Sequence, residues 1–333
     1  MNKRPIDIQR DCGGQFKLES PDDGTTITDM FELNDSLLIA TQKSVYEVKV
    51  ADQIDPKREN PNIPHNVQRR ILALGTDSEL VSRTLLTAKN LFRKDFLPDS
   101  VNAKQALTFS FEALTDMVAM QTTAAEYELA EQKEIQAAQS RTPQQKSFAL
   151  PSVTDVKTRC KTFFQKADHV EQTIWDIVRL FYPNIQAKCN FDKLRDYLKD
   201  AYGVDDGFTK FIDQALPFLK MVRNARDCLD HRNAKGVVIT DFTLSADGKI
   251  SQPTIAINFR DTQQPPVDIS LLMPKVVESM MNVFDNLIAS LCSKNTVSRF
   301  PAQVGVIPEK HRRNKYVQYS YGFIMNGEFW PMG

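Results

Sequence analysis

The feature that most constrains the fold is a helical repeat of apolar residues through the second half of the chain. Apolar residues recur every three or four positions in Val153–Phe181, in Phe191–Tyr202, around Pro217–Asn233 and from Asp268 to Ser293. This spacing places the apolar side chains on one face of each helix, and that face must be buried against other helices. The second half of the chain is therefore predicted to be a helical bundle.

Two strand patterns interrupt this helical half. Val237–Leu244 and Pro253–Phe259 are predicted strands, and Ser245–Gly248 between them is typical of a hairpin turn. We expect this β-hairpin to be inserted before the last long helix. A second hairpin is predicted over Ala302–Trp330.

The first half begins with short runs rich in β-branched and aromatic residues, separated by turn-forming residues. We predict strands at Gln15–Ser20, Thr25–Phe31, Ser36–Thr41 and Ser44–Val50. Helices are predicted at Asn66–Leu74, which Gly75 would cap, at Glu79–Phe96 and from Val101 to about Gln139. This half is thus a small antiparallel β meander followed by helices.

A polar stretch bounded by prolines, Ser140–Pro151, separates the halves, and we place the domain boundary there. The predicted fold is α+β and mainly α. Residues 1–145 form an N-terminal β/α module of unknown role, and residues 152–333 form a helical domain that carries the two β-hairpins. A chain of 333 residues is long enough for two domains with separate cores.

Composition excludes several classes of protein. The 42 basic residues equal the 42 acidic ones, so a nucleic-acid site would have to be a local patch. The chain has no apolar run long enough to span a membrane, and its start, MNKRPIDIQRDC, does not have the pattern of a secretion signal. Five widely spaced cysteines predict reduced thiols and a cytoplasmic location. The four scattered histidines add no ligand cluster, so no metal or cofactor site is expected.

The chemistry-bearing stretch is the predicted helix Pro217–Asn233. With about 100° per residue, Phe218, Val222, Ala225 and Leu229 form its buried stripe. Asn224, Asp227 and His231 lie roughly opposite this stripe, and Arg226 lies at its edge. An imidazole can transfer protons near neutral pH, and a guanidinium can stabilise charge on phosphoryl oxygens. This pair of groups therefore suggests phosphate chemistry.

The segment Arg226-Asp227-Cys228-Leu229-Asp230-His231 resembles the motif of the HEPN superfamily, which is Arg, a polar residue, three residues and His. The resemblance covers roughly residues 152–294. It implies a HEPN-like helical bundle that forms a homodimer and acts on RNA. Many members are metal-independent ribonucleases of toxin, antiphage and stress systems, and others are inactive. The resemblance thus also implies a possible antitoxin or regulatory partner.

On this resemblance, the chain is expected to be a metal-independent endoribonuclease. His231 would be the general acid or base and Arg226 would stabilise the phosphoryl charge. Arg223 and Arg232 would contact phosphates, and Asn224 or Asp227 would orient the imidazole. Because five residues of helix turn through about 140°, Arg226 and His231 need not meet within one chain. A groove between two antiparallel copies would bring them together.

Two other interpretations of this segment remain open. The first is a HEPN-like module that dimerises and binds a nucleotide or partner without cutting. In the second, the motif is accidental, and Arg226–Asp230 and Arg223–Asp227 are surface ion pairs that each stabilise the helix by about 0.2–0.5 kcal/mol.

A second candidate RNA contact is the basic cluster of Lys310, Arg312, Arg313 and Lys315. It precedes Tyr319, Tyr321 and Phe323, which alternate onto one face of a predicted strand. Phosphate contacts and base stacking would suit single-stranded RNA. The alternative is a solvated turn beside a half-buried aromatic face.

Overall fold

A computed structural model describes residues 3–12, 18, 26–34, 36–139, 149–185, 188–231, 236–297 and 301–332. The chain divides into two compact units. Unit 1 consists of Met1–Thr108 and Val297–Gly333, and unit 2 consists of Phe109–Thr296. The predicted fold class, α+β and mainly α, is confirmed.

Helices and strands are numbered here along the chain. The helices are α1 (Pro5–Asp11), α2 (Ala51–Ile54), α3 (Glu79–Val81), α4 (Thr87–Leu91), α5 (Ala103–Gln139), α6 (Val156–Phe181), α7 (Phe191–Tyr202), α8 (Gly207–Asp230) and α9 (Ile269–Lys294). The strands are β1 (Ile27–Leu33), β2 (Ser36–Thr41), β3 (Val45–Val50), β4 (Asn66–Leu72), β5 (Val237–Thr240), β6 (Thr243–Leu244), β7 (Ile250–Ser251), β8 (Thr254–Phe259), β9 (Thr262–Asp268), β10 (Gln303–Val306), β11 (Tyr319–Met325) and β12 (Glu328–Pro331). A π-helical segment, Ser82–Leu86, joins α3 to α4.

The described residues of unit 1 form two antiparallel sheets. The first has the order β1-β2-β3-β4, in which β1, β2 and β3 confirm three strands of the predicted meander, and Ile39 and Val45 are fully buried in it. The predicted strand Gln15–Ser20 lies outside the described residues except for Leu18. The second sheet has the order β10-β11-β12. The ring of Tyr321 in this second sheet stacks on the ring of Phe96, with the ring centroids 4.2 Å apart.

The prediction of a helix at Asn66–Leu74 is wrong, because this segment forms strand β4. It pairs antiparallel with β3, with Val48 opposite Gln68 and Val50 opposite Asn66. The non-local pairing outweighs the local helical preference of the sequence. Gly75 is therefore not a helix cap. A side chain there would come within 3.0 Å of backbone atoms of the β2–β3 turn, which explains why glycine is needed.

Unit 2 is built on α6, α8 and α9 together with α7 and most of α5. These helices contribute fully buried apolar side chains to its core, including Phe163, Ile174, Leu219, Val222, Met280 and Phe284. Pro217 lies inside α8 and Pro274 inside α9, so both helices continue through their prolines. The bundle predicted from the apolar periodicity is therefore present, and the bounds of α7 agree with those predicted.

The inserted hairpin is confirmed, and it is more elaborate than predicted. β5, β8 and β9 form a three-stranded antiparallel sheet, and β6 pairs with β7 at the tip. The turn contains Gly248 at a φ of 82°, a left-handed conformation that glycine adopts at low cost.

The division of the chain differs from the predicted domains, 1–145 and 152–333. The predicted C-terminal hairpin is the three-stranded sheet β10-β11-β12, and it belongs to unit 1. Ile307 and Val317 form a buried cluster there with Leu86, which fixes this placement. Residues 140–148 of the predicted boundary lie outside the described residues.

Each helix in the described part of the chain is too short or too polar to cross a bilayer. The five cysteines are free thiols.

Candidate functional site

Helix α8 carries the predicted site residues. It begins after Asp206, whose carboxylate accepts a hydrogen bond from the Phe208 N–H at 3.0 Å, a side-chain N-cap. Val222, Ala225 and Leu229 are buried as predicted. The polar face is therefore oriented as expected from the helical repeat, and the helix ends at Asp230.

Arg226 is held by carboxylates on α6 and α8. One terminal nitrogen donates to Asp168 Oδ2 at 2.7 Å, and the other donates to Asp227 Oδ1 at 3.1 Å. Arg226 Nε lies 4.0 Å from Asp230 Oδ2. The side chain is 28% exposed, so it is partly accessible while its charge is compensated.

One turn earlier on α8, Arg223 forms an ion pair with Glu171 of α6. The Glu171 side chain is 1% exposed, and its Oε2 is buried without a hydrogen-bond partner among the described residues. Burial raises the pKa of Glu171 to about 7, because a carboxylate loses its hydration there. Burial also raises the pKa of the neighbouring Cys189 thiol, which therefore stays protonated and is a poor nucleophile.

Arg223 and Arg226 line one wall of a surface cleft of about 380 Å³ in unit 2, here called the arginine cleft. Its full lining is Asp168, Gln172, Trp175, Asp176, Arg179, Lys188, Cys189, Arg223, Arg226 and Asp227. Four cationic side chains thus face three carboxylates. Arg179 and Lys188 are exposed, which leaves cationic groups accessible to an anion from solvent.

Asn224 and Asp227 attach α8 to the β8–β9 turn. The buried Asn224 amide donates to Thr262 Oγ1 at 2.8 Å and to Asp261 Oδ1 at 3.1 Å. Asp227 Oδ2 accepts from Arg260 at 2.9 Å. These contacts give both residues a structural role. The hydrogen bonds of the described residues include none from either side chain to the imidazole of His231.

His231 is the first residue after α8. Its backbone is extended, with φ −92° and ψ 120°, and its N–H donates to the Asp227 carbonyl at 3.1 Å. The residue is exposed and is not among those that line the arginine cleft. Arg232 lies outside the described residues. One chain therefore brings Arg223, Arg226 and Asp227 to one cleft without His231.

The predicted basic cluster in unit 1 divides into different environments. Lys310 forms an ion pair with Glu328, and Arg312 donates to the Ile307 carbonyl at 2.9 Å. Lys315 lies over the Tyr316 ring, 4.6 Å from its centroid. Arg313 is exposed and lines a separate cavity. The cluster is thus mostly engaged in local contacts.

The acidic partners on α6 were not predicted from the sequence. Asp168 and Glu171 are three residues apart and lie among the buried positions Ala167, Val170 and Ile174. Two carboxylates on the apolar side of a predicted helix are a usable signal, because buried charges require partners.

Among the described residues, no three His, Cys, Asp or Glu side chains are grouped so that they could hold a metal ion. Comparisons with protein-family models, curated proteins and solved structures found no match to this chain.

Proposed function

We propose that the protein is a metal-independent endoribonuclease of the HEPN type, in which the arginine cleft of unit 2 binds the scissile phosphate of RNA. The observation that carries the proposal is the common placement of Arg223 and Arg226 on one cleft wall, with Arg179 and Lys188 also in the lining. Guanidinium groups recognise phosphate oxygens through paired hydrogen bonds, which suits a phosphodiester.

In the proposed reaction, the 2′-hydroxyl of a nucleotide attacks the adjacent phosphorus, and the bond from phosphorus to the 5′-oxygen of the next nucleotide breaks. Arg226 stabilises the negative charge that develops on the phosphoryl oxygens. His231 acts as general acid and donates a proton to the leaving 5′-oxygen, while solvent takes the proton of the 2′-hydroxyl. The products are a 2′,3′-cyclic phosphate and a 5′-hydroxyl.

The active site is proposed to require two copies of the chain. His231 is exposed at the end of α8 and does not line the cleft of its own chain. An isologous dimer places the same residue of each chain opposite the same surface of the other. His231 of one copy would then complete the arginine cleft of the second copy.

The first test is RNA cleavage in EDTA by the purified full chain. We expect cleavage with 2′,3′-cyclic phosphate ends, and we expect Arg226→Ala and His231→Ala each to reduce the rate by about 100-fold or more. His169→Ala and Arg195→Ala are matched controls, because these residues lie outside the cleft lining and Arg195 is also paired with carboxylates. Full activity of Arg226→Ala and His231→Ala would contradict the proposal.

A mixing experiment tests whether the site is shared between copies. Arg226→Ala and His231→Ala proteins are inactive alone, but a mixed dimer contains one intact composite site. After subunit exchange, we expect about a quarter of the wild-type activity, since half of the dimers are mixed and each has one working site. No recovery, with exchange confirmed by mass spectrometry of differently tagged chains, would exclude the shared site.

The second candidate function is RNA or nucleotide binding without cleavage. The contacts of Arg226 favour it, because hydrogen bonds to Asp168 and Asp227 already occupy its two terminal nitrogens. This candidate predicts that Arg223→Ala binds RNA more weakly than the wild type and that the affinity decreases steeply with salt concentration. It also predicts no cleavage by any variant. Filter binding run beside the cleavage assay distinguishes the two functions.

A further inference from the structure

Unit 1 contains a cavity that the proposed ribonuclease function does not use. Its volume is about 620 Å³, within the range of roughly 300–1,000 Å³ typical of small-molecule sites. Strand β1, helix α4 and the β10–β12 region all contribute to its lining. It lies within a single unit, so its walls belong to one packed core.

The floor of this cavity is apolar and fixed. Leu86, Ile307 and Val317 line it and are each buried, with 5–8% exposure. The wall beside the floor is also held in place, because the Asn314 amide donates to the Thr76 carbonyl and to Ser82 Oγ, both at 3.0 Å. The floor and this wall are therefore fixed by the protein's own contacts.

An aromatic surface is exposed at the cavity. Trp330 lines it and remains 40% exposed, although His311 packs beside the indole with ring centroids 4.6 Å apart. A large aromatic side chain exposed inside a concave site indicates a surface that a ligand covers. A planar heterocycle can stack on an indole in this way.

The described lining of the cavity also carries an excess of positive charge. Lys89 and Asp29 both line it and form an ion pair with each other. Arg313 lines it as well, and among the described residues no carboxylate lies within 4.0 Å of its guanidinium. Apart from His311, the titratable lining groups are two cations, Lys89 and Arg313, and one carboxylate, Asp29, which leaves one positive unit. An anionic group on the ligand, such as a phosphate, would complement Arg313.

We infer that this cavity binds a mononucleotide, with the base against Trp330 and the phosphate at Arg313. The cavity combines an apolar floor, an exposed indole and a guanidinium that has no carboxylate partner among the described residues. These features match a ligand that carries a planar ring and an anion together. This inference does not depend on the ribonuclease proposal, because the arginine cleft belongs to the other unit.

Isothermal titration of the full chain with AMP, GMP, CMP and UMP tests the site. We expect at least one of them to bind with a Kd below about 1 mM, and more tightly than its nucleoside or inorganic phosphate alone. Arg313→Gln and Trp330→Ala should each raise that Kd by about tenfold or more. Lys315→Gln is the matched control, since this exposed cation lies two residues away and outside the cavity, and it should change the Kd less than about twofold.

Two further measurements separate this site from the arginine cleft and from loss of folding. Arg226→Ala should bind the nucleotide as the wild type does. The chain has only two tryptophans, and Trp175 is buried in unit 2, so a ligand-dependent change in fluorescence should vanish in the folded variant Trp330→Phe. The inference is overturned if no mononucleotide binds, if phosphate or nucleoside alone binds as tightly, or if Arg313→Gln leaves the Kd unchanged.

Discussion

At the scale of single residues, the most unusual group is the Glu171 carboxyl beneath the arginine cleft. It is buried, its Oε2 lacks a hydrogen-bond partner among the described residues, and its pKa is raised to about 7 from an ordinary value of 4.5. Its raised pKa means that the folded protein holds the proton more tightly than the unfolded chain does. The protonated Glu171 carboxyl therefore contributes stability to the fold below pH 4.5, and this contribution is lost as the pH rises to about 7.

Glu171→Gln should remove this pH dependence. Between pH 4.5 and about 7, the free energy of unfolding of the wild type should fall relative to that of the variant. The expected slope is about 1.4 kcal/mol per pH unit, or about 3 kcal/mol in total. Urea unfolding followed by circular dichroism at several pH values measures it. Glu128→Gln, at an exposed position of α5, is the control, and parallel curves for wild type and Glu171→Gln would contradict the raised pKa.

Residue contacts also limit what the motif alone could predict. The sequence identified Arg226 and its position on the helix, and the structure places it in a cleft. The sequence could not indicate that Asp168, 58 positions earlier in the chain, would bind this guanidinium. Such pairs depend on how α6 packs on α8, and a local repeat contains no information about that packing.

At the scale of elements, the long helices were predictable and strand β4 was not. Helices α6, α7, α8 and α9 each bury one continuous stripe, so their apolar spacing determines both their type and their approximate bounds. β4 is exposed or half-buried at every position except Leu72, so its apolar spacing is weak evidence. Its conformation comes from backbone pairing with β3, which no window of adjacent residues reveals.

Gly75→Ala tests the close approach that follows β4. A Cβ atom at this position would lie within 3.0 Å of backbone atoms of Thr41, Gln42 and Lys43, and backbone cannot move aside as a flexible side chain can. We expect the free energy of unfolding to fall by about 1–3 kcal/mol, the usual cost of overpacking.

Gly207→Ala is the matched control for this substitution. Nothing lies within 4 Å of a Cβ placed there, and the residue is the first of α8, where alanine is favoured over glycine. The free energy of unfolding of Gly207→Ala should equal that of the wild type or be slightly higher. Equal stabilities of Gly75→Ala and the wild type in thermal and urea unfolding would contradict the packing described for the β2–β3 turn.

At the scale of the whole molecule, the units found in the structure and the domains predicted from the sequence imply different behaviour of fragments. A fragment of residues 109–296 contains all of unit 2, and we expect it to unfold cooperatively and to keep the arginine cleft. A fragment of residues 152–333 lacks α5, and it carries β10–β12 without their partners in unit 1. We expect this second fragment to aggregate or to show non-cooperative unfolding in calorimetry. The reverse result would favour the boundary near residues 145–152.

The assembly of unit 1 from two separated stretches also affects how the protein is made. During synthesis, the β meander emerges before unit 2, and Val297–Gly333 emerges after it. Until Tyr321 arrives, the ring of Phe96 lacks its stacking partner, and Leu86 lacks the Ile307 and Val317 that cover it. The first stretch of unit 1 therefore completes its core only after unit 2 has been made, and apolar surface is exposed during that interval.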